Sequence, residues 1–171
     1  MIIYPAVDIQ GGQCVRLKQG KAEESTVYYQ DPYEAAAHWV SEGARWLHVV
    51  DLDGAFSGRS GNDGVIKRIV HLSVPVQVGG GIRDMDRIRT LMEMGVARVI
   101  LGTAAVENPD LVREAVDAYG DAVAVGIDAK DGMVATRGWQ EVSAMEAVPL
   151  AVKMKEMGVA TVIYTDISRD G

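Results

Sequence analysis

Two aspartates stand in matching words of this sequence, 120 residues apart: Asp8 in Val7-Asp8-Ile9-Gln10-Gly11-Gly12 and Asp128 in Ile127-Asp128-Ala129-Lys130-Asp131-Gly132. Each closes a short apolar run, where a strand is expected to give way to a turn. More carboxylates end or follow later runs: Asp51 in Val50-Asp51-Leu52-Asp53-Gly54, Asp166 in Thr165-Asp166-Ile167-Ser168, and Asp170 in the loop beyond. Carboxylates that face each other across a pocket suit general acid–base work, one taking a proton from carbon while another protonates a departing oxygen. For a single Asp at a strand end, capping the next turn is the ordinary role. For Asp8 and Asp128 the equivalent places in two repeats favour chemistry instead. The Asp51–Asp53 pair invites a metal reading, but no His or Cys cluster accompanies it and no metal ligands are assigned.

A second group of residues suits an anion. Gly79-Gly80-Gly81-Ile82-Arg83 lies between an apolar run and a helix expected near Asp84, and Gly102-Thr103-Ala104 ends the next run. Adjacent backbone N–H groups, a Thr hydroxyl and a helix N-terminus together form a phosphate cradle. Its candidate members are Gly80, Gly81, Arg83, Gly102 and Thr103. A complete second repeat would add a second cradle on the opposite side, so the expected substrate is a bis-phosphate lying across the mouth. Two polar, glycine-containing segments, 10–27 and 131–142, read as lid loops carrying Arg16, Lys18, Arg137 and Trp139. Cationic and aromatic groups on such loops close over a charged ligand and exclude water. His48 falls inside a strand, in the core or on the pocket wall, while His38 and His71 read as helix-surface residues.

The elements that must position these groups are legible as an alternation. Strands are predicted at Ile2–Val7, Trp46–Asp51, Pro75–Val78, Arg98–Leu101, Ala122–Ile127 and Thr161–Thr165. Most are apolar throughout, as in parallel strands buried on both faces. Asp31-Pro32-Tyr33-Glu34 and Asn108-Pro109 signal helix starts, and Ser143-Ala144-Met145-Glu146 reads as a capping box. Gly43, Gly95, Gly120 and Gly158 stand where helices should end. The first repeat holds four strands and the second two, so the fold class is α/β, a (β/α)8 TIM barrel with an internal half-barrel repeat. One domain spans 1–171, with 1–120 as a first half-barrel and 121–171 as the start of a second. About two further βα units would close a barrel of roughly 250 residues. An open doubly wound sheet is the competing architecture, but its first turn normally carries the nucleotide-binding glycines, and here they follow the third strand.

Composition narrows the partners. The 171 residues carry a net charge of −7, which disfavours binding to nucleic acid by counterion release. The single cysteine, Cys14, gives no intramolecular disulfide, and the start Met1-Ile2-Ile3-Tyr4 has neither a basic segment nor a long apolar run. A cytoplasmic protein with no membrane span is expected.

Longer words carry a resemblance. Pro5-Ala6-Val7-Asp8, Val15-Arg16-Leu17 with Gln19-Gly20, 47–55, 75–83, 102–106 and 165–171 closely resemble the histidine-biosynthesis isomerases that act on phosphoribosylformimino-5-aminoimidazole carboxamide ribotide (ProFAR). The resemblance runs the whole length of the chain. It implies an Amadori rearrangement, aminoaldose to aminoketose, with no metal or organic cofactor. It implies Asp8 as proton acceptor, Asp128 or Asp170 as proton donor, and Thr165 at the reacting ribose. Arg16, His48 and Trp139 join the cradle residues as substrate-binding candidates. A sister branch also isomerises phosphoribosylanthranilate, but Gln77-Val78-Gly79 is more similar to the single-substrate enzymes. The related cyclase has different words around its first Asp. A reading of another class is a non-catalytic barrel fragment that needs a partner segment or association, whereas a full barrel is expected to be a monomer.

Overall fold

The computed structural model describes residues 1–18 and 21–170, and for Lys18 and residues 21–24 the backbone alone. Gln19, Gly20 and Gly171, which belong to the words above, lie outside the described residues. The chain opens with β1 (Ala6–Gln10), β2 (Gln13–Lys18), β3 (Lys21–Tyr29) and α1 (Pro32–Ser41). It continues through β4 (Leu47–Asp51), α2 (Leu52–Ser57), α3 (Asp63–Val70), β5 (Val76–Gly79), α4 (Met85–Glu93) and β6 (Arg98–Leu101). Next come α5 (Thr103–Glu107), α6 (Pro109–Tyr119), β7 (Val123–Lys130), β8 (Met133–Thr136) and β9 (Glu141–Glu146). The last elements are α7 (Ala147–Glu156) and β10 (Thr161–Asp166).

Six strands, β1-β4-β5-β6-β7-β10, pair in parallel in chain order. A doubly wound sheet reverses its strand order at a switch point, and this one never does. Residues from β1 at one edge and β10 at the other line a single cavity, so the sheet is curled into part of a (β/α) barrel. Helices cover its outer face. Ile66 and Ile69 of α3, Ile88 and Leu91 of α4, Val112 and Ala115 of α6, and Leu150 and Met154 of α7 are all buried against it. Full burial of each large apolar side chain contributes about 1.5–3 kcal/mol.

Local signals explain the helix starts. Asp31 accepts from the Tyr33 amide with Pro32 at the first helical position, and Asn108 accepts from the Leu111 amide ahead of Pro109. The capping-box reading of Ser143–Glu146 is corrected: these residues form the end of β9, and α7 begins at Ala147 with no side-chain cap. Pairing with β8 (Met133 opposite Glu146) takes the backbone that a helix would have used.

Three further expectations change. First, β1 begins at Ala6 rather than Ile2, and Ile2 and Ile3 are exposed. Second, β1 and β7 run past Asp8 and Asp128 to Gln10 and Lys130, so neither aspartate is the last strand residue. Third, the two lid loops are antiparallel hairpins, β2–β3 and β8–β9, which continue from β1 and β7. Burial also alternates along β1 and β4 rather than covering both faces. Val7, Ile9, Leu47 and Val49 are buried, whereas Asp8, His48 and Val50 line the half-open interior.

The repeated words fold alike. Asp8 lies opposite Val15 in one hairpin and Asp128 opposite Ala135 in the other. In the parallel pairs Asp8 lies opposite Val50, and Asp128 opposite Thr165. Both aspartates therefore occupy the same place in the same local pattern.

Candidate active site

The cavity measures about 370 Å³ and opens at the C-terminal ends of the parallel strands. Asp8, Asp128, Asp170, Thr165, Gly80, Gly81, Arg83, Gly102, Thr103, Arg16, His48 and Trp139 all line it. These twelve expected site residues thus reach one concavity, whereas the side chain of Lys18, expected on the first lid, lies outside the described residues. In barrels this is the face where active sites are built.

The carboxylates separate into two sets. Asp51 is fully buried and accepts from the Gly54 amide at 3.0 Å and from the Asn62 side chain at 2.7 Å. Asp53 accepts from the same Asn62 amide group at 2.8 Å and from the Gly11 amide at 2.8 Å. Asn62 thus bridges the pair that had suggested a metal, and the β4–α2 turn is tied to the β1–β2 turn. Asp166 caps the 3-10 turn 167–169 by accepting from the Ser168 amide and hydroxyl. These three are turn-builders. Asp8, Asp128 and Asp170 face the cavity instead.

Burial, with the negative charge of Asp170 adding to it, pushes the Asp8 carboxyl up to about 6, and Arg16 opposes both. A carboxylate in this range is ionised at neutral pH yet is a better base than a solvated one. The buried Cys14 thiol is raised by desolvation and then by Asp8, which keeps it protonated and inert.

Gly80 and Gly81 form the wall between two βα turns, and both have positive φ (104° and 71°). A Cβ on Gly80 would lie 2.1 Å from the Asp51 carbonyl oxygen, and one on Gly81 would lie 2.3 Å from that of Gly54. Glycine is required here because the neighbouring turn presses against the backbone, which leaves the opposite side open to the cavity. The Arg83 guanidinium reaches across this wall and donates to the Ala55 carbonyl at 3.4 Å.

Both hairpins close on the mouth. Val15 and Leu17 of β2 pack on Leu52 with Phe56 beside them, and the backbone at Gly138 presses on the same Phe56 ring. The Arg137 amide donates to the Thr103 hydroxyl at 2.9 Å, and its side chain pairs with Glu107 and Glu141 at 3.0 and 3.3 Å. Arg137, Gly138 and Trp139 are three consecutive residues at positive φ, which turns the Trp139 ring into the cavity wall.

Several site-building residues carry little or no signal in the sequence. Asn62 and Phe56 belong to no motif. Gln77 and Arg98 do stand out: a polar residue inside the apolar run Val76-Gln77-Val78 and a cation opening β6 are each out of place in a buried parallel strand. Gln77 bonds His48 at 2.7 Å and accepts from Arg98 at 3.1 Å.

Fold and site together define a (β/α)-barrel protein whose open face sets carboxylates beside glycine-rich turns. A family model described as "Histidine biosynthesis protein" matches residues 2–171. The chain is 54% identical over 173 residues to a protein of Lachnoclostridium phytofermentans, an alignment spanning 100% of this chain and 72% of that one. It is 55% identical over 172 residues to proteins of Acetivibrio thermocellus and Thermoanaerobacter pseudethanolicus, each with 100% of this chain and 73% of the relative covered. All three relatives carry the name 1-(5-phosphoribosyl)-5-((5-phosphoribosylamino)methylideneamino) imidazole-4-carboxamide isomerase. The chain belongs to this histidine biosynthesis protein family.

Proposed function

We propose that the chain is an intramolecular aldose–ketose isomerase that converts ProFAR to its phosphoribulosyl isomer in histidine biosynthesis. The observation that carries this reading is the convergence of Asp8, Asp128 and Asp170 on one cavity, with Asp8 held near 6. The chemistry needs only acid and base. A carboxylic acid, Asp128 or Asp170, protonates the ribose ring oxygen, and the C1–O bond opens to an iminium. Asp8 removes the C2 proton, the electron pair forms an enolamine, and protonation at C1 with loss of the C2 hydroxyl proton yields the ketone. Thr165, opposite Asp128 in the register, contacts the reacting ribose.

The relatives' name contains two phosphoribosyl groups, which supports a bis-phosphorylated substrate. We assign one phosphate to the wall formed by Gly80, Gly81, Gly102 and Thr103, with Arg83 bracing it, and assign Arg16, His48 and Trp139 to the body of the substrate. No cofactor enters this scheme. The net charge of −7 argues against nucleic acid as a partner. Among the described residues no helix is long and apolar enough to cross a membrane. A cytoplasmic location suits this small-molecule chemistry and the lone, buried Cys14.

One observation favours a second reading, in which turnover requires another segment or copy. Val148 and Val152 of α7 and Val162 and Tyr164 of β10 form an exposed apolar face. The test is turnover of ProFAR across a range of protein concentrations, with phosphoribosylanthranilate assayed beside it. Turnover of ProFAR alone, proportional to protein, is the expected result. Activity per chain that climbs with concentration supports the second reading. Consumption of both substrates makes the enzyme bifunctional, and consumption of neither at any concentration overturns the reading of this chain as an isomerase on its own.

A further inference from the structure

Beneath the cavity floor, three consecutive strands place polar side chains side by side. His48 on β4 lies opposite Gln77 on β5, and Gln77 opposite Arg98 on β6. The side chains connect in the same order: His48 Nδ1 to Gln77 Nε2 at 2.7 Å, and Arg98 Nη1 to Gln77 Oε1 at 3.1 Å. Arg98 is held in turn by the face of Trp46, its guanidinium carbon 4.9 Å from the ring centroid. Gln77 is buried.

Donor and acceptor rules leave one solution for this chain. A guanidinium only donates, so it must meet the amide oxygen of Gln77. That turns the amide NH2 toward His48, and a donor there requires Nδ1 to be an unprotonated acceptor. The imidazole is then neutral with its single proton on Nε2, on the ring edge directed away from Gln77. Among the described residues Nε2 makes no hydrogen bond, and His48 lines the cavity.

We propose that Arg98 and Gln77 are positioning residues that lock His48 as a neutral Nε2–H donor aimed into the cavity. The relay rests on geometry alone; its use in turnover rests on the isomerase reading above. Burial lowers the His48 pKa, and the charge of Asp128 on β7 works against that. Ala6 and Val50, its neighbours on the inner wall, bear no charge, and Asp8 faces the same cavity from β1. A neutral N–H gives a hydrogen bond to a substrate oxygen without placing a fixed cation that would pair off the carboxylates the reaction needs. An imidazolium held near Asp128 would do that.

The test is 15N–1H correlation spectroscopy of the ring nitrogens in the ligand-free protein, with pH profiles recorded beside it. In the wild-type chain, His48 should show a protonated Nε2 and a bare Nδ1, and should remain neutral well below the ordinary His range. Gln77→Glu replaces the donor with an acceptor, so the proton moves to Nδ1 and the His48 pKa rises. Arg98→Met frees the amide to flip and yields mixed tautomers, whereas Arg98→Lys restores the wild-type pattern. Loss of this one hydrogen bond should lower kcat/KM for ProFAR about tenfold in Gln77→Glu. An Nδ1–H tautomer, or a charged ring near neutrality, in the wild-type protein overturns the relay. That measurement needs no variant to fold. Absence of ProFAR turnover in wild type would overturn the isomerase reading while leaving the tautomer result standing.

Discussion

Asp8 joins two properties that oppose each other, burial that resists its charge and a role that requires that charge. Asp8→Asn keeps the shape and removes the base, so turnover should disappear while substrate still binds, as measured by single-turnover kinetics and calorimetry. Activity within tenfold of wild type would exclude Asp8 as the base. For the native chain, kcat/KM should rise with pH as Asp8 ionises near 6. Because the Asp170 charge raises the Asp8 value, Asp170→Asn should move this acid limb to lower pH. The shift can be read by direct titration of the Asp8 carboxyl even where the variant no longer turns over. A limb that stays in place would mean that the two carboxylates do not interact.

The elements hold these side chains through backbone contact as much as through side-chain packing. Gly80→Ala would drive a Cβ into the Asp51 carbonyl and should cost on the order of 3 kcal/mol in chemical denaturation. Gly12→Ala, also at positive φ but in open space, should cost only about 1 kcal/mol. Equal effects at the two positions would show that conformation rather than crowding decides. The parallel strands were legible because a strand inside a parallel sheet requires a short, nearly continuous apolar run. Leu47-His48-Val49-Val50 and Arg98-Val99-Ile100-Leu101 are such runs. The hairpins were not legible. Gln13–Lys18 buries Cys14, Val15 and Leu17, but residues 25–28 of its partner Lys21–Tyr29 are exposed, so pairing rather than burial specifies that second strand. Ser143-Ala144-Met145-Glu146 satisfied a helix-start pattern while serving as a strand end. Convergence of Asp8 and Asp128 was visible in the repeated words, and Asp170 joined them through the family resemblance, but the Arg98–Gln77–His48 order depends on cross-strand register, which no local pattern contains.

At the scale of the molecule, Asp8 and His48 should shape stability in opposite directions. The Asp8 value is raised above 3.8, so its contribution is fully present below pH 4 and is lost as pH rises through 6. His48 is depressed below 6.5, so its contribution is present above that pH and is lost on acidification. Asp8→Asn should therefore be more stable than wild type at pH 7, on the order of 2 kcal/mol, with the gain vanishing below pH 4. Thermal melts from pH 4 to 8 would measure it; an advantage independent of pH would refute the linkage. The glycine wall carries a consequence for how such a molecule can change. At Gly80 and Gly81 there is no volume for a side chain of any kind, so mutation cannot explore new chemistry there. Outside buried positions such as Cys14, Val15, Leu17, Val134 and Ala135, the hairpins crossing the mouth carry exposed side chains that can be replaced without disturbing the core. New substrate preferences, whether in natural drift or in a laboratory library, should accumulate in 13–29 and 133–146, while the wall stays silent.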